Sequence, residues 1–337
     1  MPEQIPLRKV SARVHSLADF DCACLLPSPA TRKVAIVMLP LGELAALTTS
    51  LLWTGTSTLF TLAGQRVGSI VVNRARLVLA VLFLMLTHWL LQGELLPVGA
   101  TVEQWAWLGL SGVIGLVIGD SFLFQALIWI GPQLAMLMLS LAPVIAALAA
   151  WLFLGETLTA PQTGGVLLTV GGVAWVVLQR NRPTAHEPAE RNFLMGILFG
   201  LGAALGQALG LITAKVGLQG EFSALSGTLI RMLVAMAVVW LITIARGQAG
   251  PTLRRLQSNR PAIVQLVGAA LFGPFLGVWL SLVAIQHTAV GIASTLMALP
   301  PVFLLPVARY LFRETVSWQA VAGTIVAMIG VGVLFLS

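Results

Sequence analysis

The chain has 337 residues, of which 58% are hydrophobic and only 9% are charged, and its formal net charge is +7. An ordinary soluble domain carries about 25% charged residues, so this composition excludes a water-soluble globular fold, and the apolar content excludes disorder. At about 20 residues per span, the apolar residues suffice for about ten transmembrane helices. The basic excess flanks apolar segments without interleaved aromatic residues, which indicates contact with lipid headgroups and no nucleic-acid binding.

The beginning of the chain differs in composition from the rest. It contains several basic residues but no uninterrupted apolar run, so we expect a poorly ordered N-terminal tail, residues 1–37, and no cleaved secretory signal. Cys22 and Cys24 lie in this tail, and their number and spacing exclude a disulfide framework.

Apolar runs bounded by charged residues, Gly or Pro predict ten helices after the tail. A polar segment, residues 180–193, divides them five and five, and its Pro and charged residues are typical of a solvated linker. The predicted domains are therefore residues 40–179 and 194–336. The ten predicted helices are 40–62, 70–92, 104–127, 133–154, 161–179, 194–214, 223–245, 262–286, 289–310 and 316–336.

The two sets of five helices contain an internal repeat. Residues 140–159 match residues 298–317 without a gap, and Pro143 aligns with Pro301 at an offset of 158 residues. The same offset pairs further small residues of the two halves: Gly115 with Gly273, Gly119 with Gly277, Ala126 with Ala284, Gly165 with Gly323, and Gly172 with Gly330.

An odd number of helices per repeat has a topological consequence. The second copy must start on the opposite side of the bilayer and run through it inverted. The predicted fold class is therefore an all-α integral membrane protein with ten transmembrane helices in two inverted five-helix repeats. Two such repeats enclose a cavity at their interface that either half can close, which is the geometry of alternating access.

The first half contains three motifs that are typical of a known type of membrane repeat. They are a Trp-x-Gly element at Trp53, an Arg early in the second helix at Arg74, and Pro143 followed by the WLFLGE segment Trp151–Glu156. With these motifs each half resembles an EamA-type repeat of the drug/metabolite transporter superfamily, although Gln207 stands near the place of a second Trp. The resemblance implies a secondary transporter (a permease or exporter) of a small metabolite in the plasma (inner) membrane, and an amino-acid-like metabolite is one candidate. Substrate, transport direction, coupling ion and the side of the termini stay open.

Asp120 is the strongest candidate for substrate binding or ion coupling. It lies about 16 residues into the third predicted helix, roughly 24 Å along it and within a hydrocarbon core of about 30 Å. An ionised Asp costs about 2.5–3.5 kcal/mol there, so it either faces the cavity as a titratable carboxylate or is bound to Arg or backbone for folding alone. Its repeat partner is Val278, so any role belongs to one half.

The first helix is unusually polar for a membrane span. Its hydroxyl groups can bond to the carbonyl one turn back, but together they occupy more than one face, which favours contact with water or solute. Polar residues of other helices are expected around the same cavity. The predicted substrate-binding or coupling residues are Asp120, Trp53, Thr54, Ser57, Gln125, Ser140, Gln207, Ser281 and Gln286.

Three charged residues near helix ends are gate or anchor candidates. Arg74 and Arg231 recur in the second helix of each half at an offset of 157 residues, and they either extend to the headgroups or pair with an anion at a gate. Glu43 opens the first helix, where the positive helix N-terminus favours a carboxylate. Pro143 and Pro301 are predicted helix breaks, which either pack as kinks or expose carbonyl groups to the cavity.

Catalytic signatures are absent from the sequence: it has no nucleotide-binding loop and no hydrolase or metalloprotease motif. We therefore predict no enzyme activity, no catalytic or metal-binding residues and no cofactor. The expected partners are a small-molecule substrate, membrane lipid, and a proton or other ion, and a homodimer is compatible with the sequence. The alternative is a membrane-embedded enzyme acting on lipid or isoprenoid substrates, which would need His88, Asp120 and His287 close together. A non-transporting scaffold would have a closed, apolar repeat interface.

Overall fold

The computed structural model describes residues 41–154, 159–179, 190–218, 222–288, 293, 296–313 and 316–336. All regular secondary structure in these ranges is helical. The predicted tail, most of the predicted linker and the aligned pair Glu156 and Glu314 lie outside the described residues.

The helices of the first half begin and end at residues suited to those places. Thr101 and Gln104 form a capping box, in which Gln104 N donates to Thr101 Oγ1 at 3.2 Å and Thr101 N donates to Gln104 Oε1 at 2.9 Å. Gly131 adopts φ 77° and separates the third and fourth predicted helices. The elements are α1 Leu41–Val67, α2 Ser69–Gln92, α3 Val102–Ser111, the π-helical π1 Gly112–Gly119, α4 Asp120–Leu139, α5 Ala142–Leu154 and α6 Ala160–Gln179.

The second half follows the same order, with one short helix between its second and third spans. Its first helix begins at Glu190, inside the predicted linker. The elements are α7 Glu190–Gly217, α8 Ala224–Ala245, α9 Ala249–Gln257, α10 Arg260–Ala270, π2 Leu271–Gly277, α11 Val278–His287, α12 Pro300–Tyr310 and α13 Trp318–Leu336.

Fewer than the ten predicted spans meet a length and apolarity criterion. The polar first helix α1 is not among those that do, which fits its many hydroxyl groups, and Trp318–Leu334 is apolar but shorter. The protein is thus a multi-pass, all-helical membrane protein, and the number of ten spans stays a prediction. The qualifying stretches are Ser69–Gln92, Val102–Leu139, Ala160–Leu178, Asn192–Gly217, Ala224–Ala245 and Arg260–Ala284.

Irregular backbone recurs at equivalent places in the two halves. A break in helical backbone at Ser140 and Leu141 separates α4 from α5. Helical backbone is again interrupted at Ala298 and Leu299, 158 residues later. The π-helical segments π1 and π2 end at glycines separated by the same offset. The sequence repeat is therefore matched by a repeat of local backbone structure.

Helices of different halves pack closely where glycines face each other. α6 contacts α13, where a Cβ at Gly165 would lie 2.8 Å from Gly330 O and one at Gly172 would lie 2.7 Å from Gly323 O. Helix α7 packs on π1, and α1 packs on π2. The largest hydrophobic cluster contains residues of both halves, so the two halves share one core.

Candidate functional site

A cavity of about 260 Å³ lies where the interrupted backbone segments of the two halves meet. Ser140 and Pro143 line it from the first half, and Ala298 and Pro300 line it from the second. Proline in the first turn of a helix removes no helical hydrogen bond, so these prolines follow the interruptions and begin the next helical segment. Most of the remaining wall is apolar, from residues such as Met136, and Lys215 of α7 adds a cation to it.

A smaller cavity of about 90 Å³ adjoins the larger one. The two share Trp53, Met136, Leu139 and Gln207 as lining residues, so we treat them together as the central cavity. The smaller part is lined by Arg76, Asp120 and Ser57, among others. The central cavity thus has a largely apolar part at the helix interruptions and a charged part beside α2 and α4.

An ion pair forms the charged end of the central cavity. Arg76 Nη2 lies 2.5 Å from Asp120 Oδ2, and the side chains are 3% and 15% exposed. Arg76 Nη2 also donates to Leu116 O at 3.1 Å, and Arg76 Nε donates to Asn73 Oδ1 at 3.0 Å. Asp120 therefore lines the central cavity and is also bound to an arginine.

Arg231 adds a second buried cation near this pair. It is 2% exposed, and Asp120 attracts it electrostatically. Its Nε has no hydrogen-bond partner within the part of the chain that the structure describes. Among the described residues Asp120 is bonded to Arg76, and Arg231 acts on it only at longer range.

Glycines leave room for backbone and side chains around the cavity. Gly112 lies against the backbone carbonyl of Arg231, where any side chain would clash. Gly277 of π2 faces Trp53, and a Cβ there would lie 2.7 Å from the indole Nε1. The glycines of the third and eighth predicted helices therefore position α8 and the Trp53 ring as well as allowing close helix packing.

Several predicted residues line the central cavity, although their hydroxyl groups are engaged. Ser57 Oγ donates to Thr54 O at 3.0 Å, and Ser140 Oγ donates to Leu137 O at 2.7 Å. The predicted residues that line it are Trp53, Ser57, Asp120, Ser140, Pro143 and Gln207.

Other predicted binding residues are not among those that line it. Thr54 Oγ1 donates to Ser50 O at 2.9 Å, Ser281 Oγ donates to Val278 O at 2.7 Å, and Gln125 Oε1 accepts from Ser69 Oγ at 2.6 Å. The side chain of Gln286 lies outside the described residues.

The gate or anchor candidates take different positions. Glu43 Oε1 accepts a hydrogen bond from Thr288 Oγ1 at 2.8 Å, which ties the start of α1 to the end of α11. Arg74 and Arg231 are both buried by protein, and Arg74 Nη1 donates to Thr252 Oγ1 at 2.6 Å. Pro301 is buried in the first turn of α12.

Sequence reasoning missed Arg76. It considered Arg74 because an arginine recurs at Arg231, but residues two apart point to different sides of a helix. The available signal was that a carboxylate within the bilayer needs a cation, and Arg76 is one of two arginines inside the second helix.

The described residues contain no group of three or more His, Cys, Asp or Glu side chains that could hold a metal ion. His88 lies away from Asp120. Its Nε2 is 3.0 Å from Ser226 Oγ and its Nδ1 is 2.6 Å from Glu94 O. It follows Arg76 by 12 residues, which is about 18 Å along α2, so His88 and the ion pair belong to different ends of that helix.

Comparison with known proteins identifies the family. The model of the EamA-like transporter family matches residues 40–178 and again residues 194–336, which confirms the resemblance found in the sequence. No curated protein matches the chain. A solved crystal structure is similar with 18% identity and a TM-score of 0.59, and the match covers 88% of this chain and 96% of that one. At this identity the likeness concerns the fold alone.

Proposed function

We propose that this chain, which belongs to the EamA-like transporter family, is a secondary active transporter that moves a small metabolite across the plasma membrane by alternating access. The observation that carries the proposal is the central cavity, which lies where interrupted helical backbone from both halves meets. Interrupted helices at a repeat interface are the usual site of substrate binding in secondary transporters.

Reciprocal contacts between the halves support an inverted arrangement of the two repeats. Along α6 the contact glycines run from Gly165 to Gly172, while their partners on α13 run in reverse from Gly330 to Gly323. Because Gly165 and Gly172 are the repeat equivalents of Gly323 and Gly330, each contact is the symmetry mate of the other. A two-fold axis between antiparallel helices produces this pattern.

The walls of the central cavity favour a substrate with an apolar body and an anionic end. Trp53, Met136 and Leu139 provide apolar surface. Arg76 and Lys215 outnumber Asp120 among the charged residues that line the central cavity, and an anion there would satisfy the excess positive charge. An amino-acid-like metabolite, with a carboxylate and an apolar side chain, has these properties.

Asp120 is the proposed coupling residue. Protonation of this carboxyl would weaken its pairing with Arg76 and would free the guanidinium for the substrate carboxylate. Binding of substrate and binding of a proton would then be linked at one side chain, so that release of one favours release of the other. Asn at this position is neutral at every pH and would remove that linkage.

The test uses purified protein in two steps. A thermal-shift screen of amino acids and related carboxylates identifies a ligand, since a compound that binds only the folded state raises the melting temperature. Flux of that ligand into liposomes is then driven by a pH gradient. Asp120→Asn should abolish the pH-driven component, while Glu103→Gln, an exposed carboxylate on α3, should leave it unchanged. Equal pH-driven flux in wild type and Asp120→Asn would refute coupling at Asp120.

The alternative of a membrane-embedded enzyme has less support. It needs His88 and Asp120 in one site, and the hydrogen bonds of His88 to Ser226 and Glu94 hold it at the opposite end of α2 from the ion pair. A closed scaffold is also disfavoured, because the region between the halves contains a cavity with polar and charged lining.

A further inference from the structure

A third cavity, of about 300 Å³, lies between α2, α8 and the junction of π1 with α4. It shares no lining residue with the central cavity. Two arginines line it, Arg74 from α2 and Arg246 from the end of α8, and no Asp or Glu of the described ranges lines it. The proposed function does not use this cavity, which we name the arginine pocket.

The charge in the arginine pocket is uncompensated by the residues that the structure describes. Arg74 Nη1 donates to Thr252 Oγ1, and Arg74 Nη2 donates to Gln248 Oε1. Both acceptors are neutral, so they orient the guanidinium without cancelling its charge. Arg74 and Arg246 repel each other, whereas Asp120 is paired with Arg76 elsewhere. An anion between the two guanidinium groups would remove the repulsion.

The first turn of α2 adds backbone donors to the same cavity. Gly68 precedes the helix with φ 90°, and no side chain caps the N–H groups that follow it. Ser69 and Ile70 of this turn line the arginine pocket. Uncapped N–H groups at a helix N-terminus favour anions, and they lie beside the two arginines.

The arginine pocket lies at the end of membrane spans. The span of α2 begins at Ser69, and the span of α8 ends at Ala245. The short helix α9 follows α8 and carries exposed Arg254 and Arg255. Basic pockets between helices at this depth meet the phosphate groups of lipids. The planar guanidinium group also matches the oxygen geometry of phosphate.

We propose that the arginine pocket binds a phosphate group, supplied by a phospholipid headgroup or by phosphate from solution. Arg74 and Arg246 neutralise its charge, and the first turn of α2 donates to its oxygens. The site is independent of transport in the central cavity, so it can exist whether or not the proposed function holds.

The test compares Arg246→Gln with Arg254→Gln in the full-length, detergent-purified protein. Both remove one exposed arginine from the same end of the bundle, but only Arg246 lines the pocket. Native mass spectrometry with phosphatidylglycerol, and with diacylglycerol as the phosphate-free lipid, measures lipid binding. Thermal shift with inorganic phosphate, against chloride at equal ionic strength, measures binding from solution.

We expect Arg246→Gln to lower occupancy by the phosphate-bearing probe about tenfold, as for the loss of one charge-assisted hydrogen bond, while Arg254→Gln matches the wild type. If a lipid headgroup supplies the phosphate, Arg246→Gln lowers the binding of phosphatidylglycerol. If phosphate comes from solution, Arg246→Gln lowers the binding of inorganic phosphate. If Arg246→Gln and Arg254→Gln bind both probes equally, or if diacylglycerol binds as well as phosphatidylglycerol and inorganic phosphate gives no shift, the proposal is overturned.

Discussion

Equivalent positions in the two halves of the protein contain opposite chemistry. In the first half Arg76 of α2 pairs with Asp120 at the end of π1. In the second half, aligning Arg231 with Arg74 places Leu233 of α8 at the position of Arg76, and Val278 at the end of π2 corresponds to Asp120; both pack against a hydrophobic cluster. The same backbone arrangement therefore forms with an ion pair or with apolar residues. This difference fits the proposed role of the ion pair in binding and coupling, since the fold forms without it in the second half.

The largest expected effect comes from removing one member of the ion pair. Arg76→Leu leaves Asp120 buried without its partner and should lower the free energy of unfolding by about 3–5 kcal/mol. The double variant Arg76→Leu/Asp120→Val copies the second half and should recover most of this loss, because apolar residues can replace a buried ion pair at little cost. Thermal or denaturant unfolding in detergent measures both variants.

The same double variant also separates folding from transport. We expect it to fold as the wild type does but to lose transport of the ligand found by thermal shift. A double variant as unstable as Arg76→Leu would show that the first half needs its ion pair to fold, which would contradict the comparison.

The next effect concerns a region where the halves are alike. A Cβ at Gly172 would lie 2.5 Å from the backbone N of Ala327, and Gly330 faces Thr169 in the same way. Gly172→Ala and Gly330→Ala should each lower the free energy of unfolding by about 1–3 kcal/mol. The neighbouring Gly171 has nothing within 4 Å of its Cβ position, so Gly171→Ala should gain about 0.5–1 kcal/mol. If only one of the variants Gly172→Ala and Gly330→Ala loses stability, the contact between α6 and α13 is not reciprocal.

A smaller effect is expected from two serines in matched surroundings. Ser140 and Ser281 are both buried, and each donates to the carbonyl oxygen three residues earlier. Only Ser140 lines the central cavity. Ser140→Ala should weaken ligand binding by about two- to tenfold, whereas Ser281→Ala should leave it unchanged, with similar melting temperatures for both. Isothermal titration calorimetry measures the ligand affinity of both variants. A larger loss of affinity in Ser281→Ala than in Ser140→Ala would show that the cavity is assigned to the wrong region.

Much of the architecture could be predicted from the amino-acid sequence because it depends on spacing. The internal repeat gave the family, and Pro143 and Pro301 lie next to the helix interruptions or within the turn that follows. An Asp in an apolar segment indicated that Asp120 meets either a cavity or a cation, and it meets both.

Details that depend on helix rotation could not be predicted. Thr54 and Ser57 lie on one polar helix, yet only Ser57 lines the central cavity. The π-helical segments occupy apolar, glycine-rich sequence with no local signal for the extra residue per turn, and they change which side chains face inward. Arg76, which sequence reasoning missed, is bonded to the carbonyl of Leu116 in such a segment.

The most direct test of alternating access follows the accessibility of one cavity residue. Ser140→Cys, in a chain whose native Cys22 and Cys24 are replaced by Ser, is treated with a membrane-impermeant maleimide in right-side-out and inverted vesicles. Ser281→Cys, which is buried and does not line the cavity, is the control. The account predicts that Ser140→Cys is labelled from both sides and protected by bound ligand, while Ser281→Cys is not labelled. Labelling of Ser140→Cys from one side only, or from neither, would contradict it.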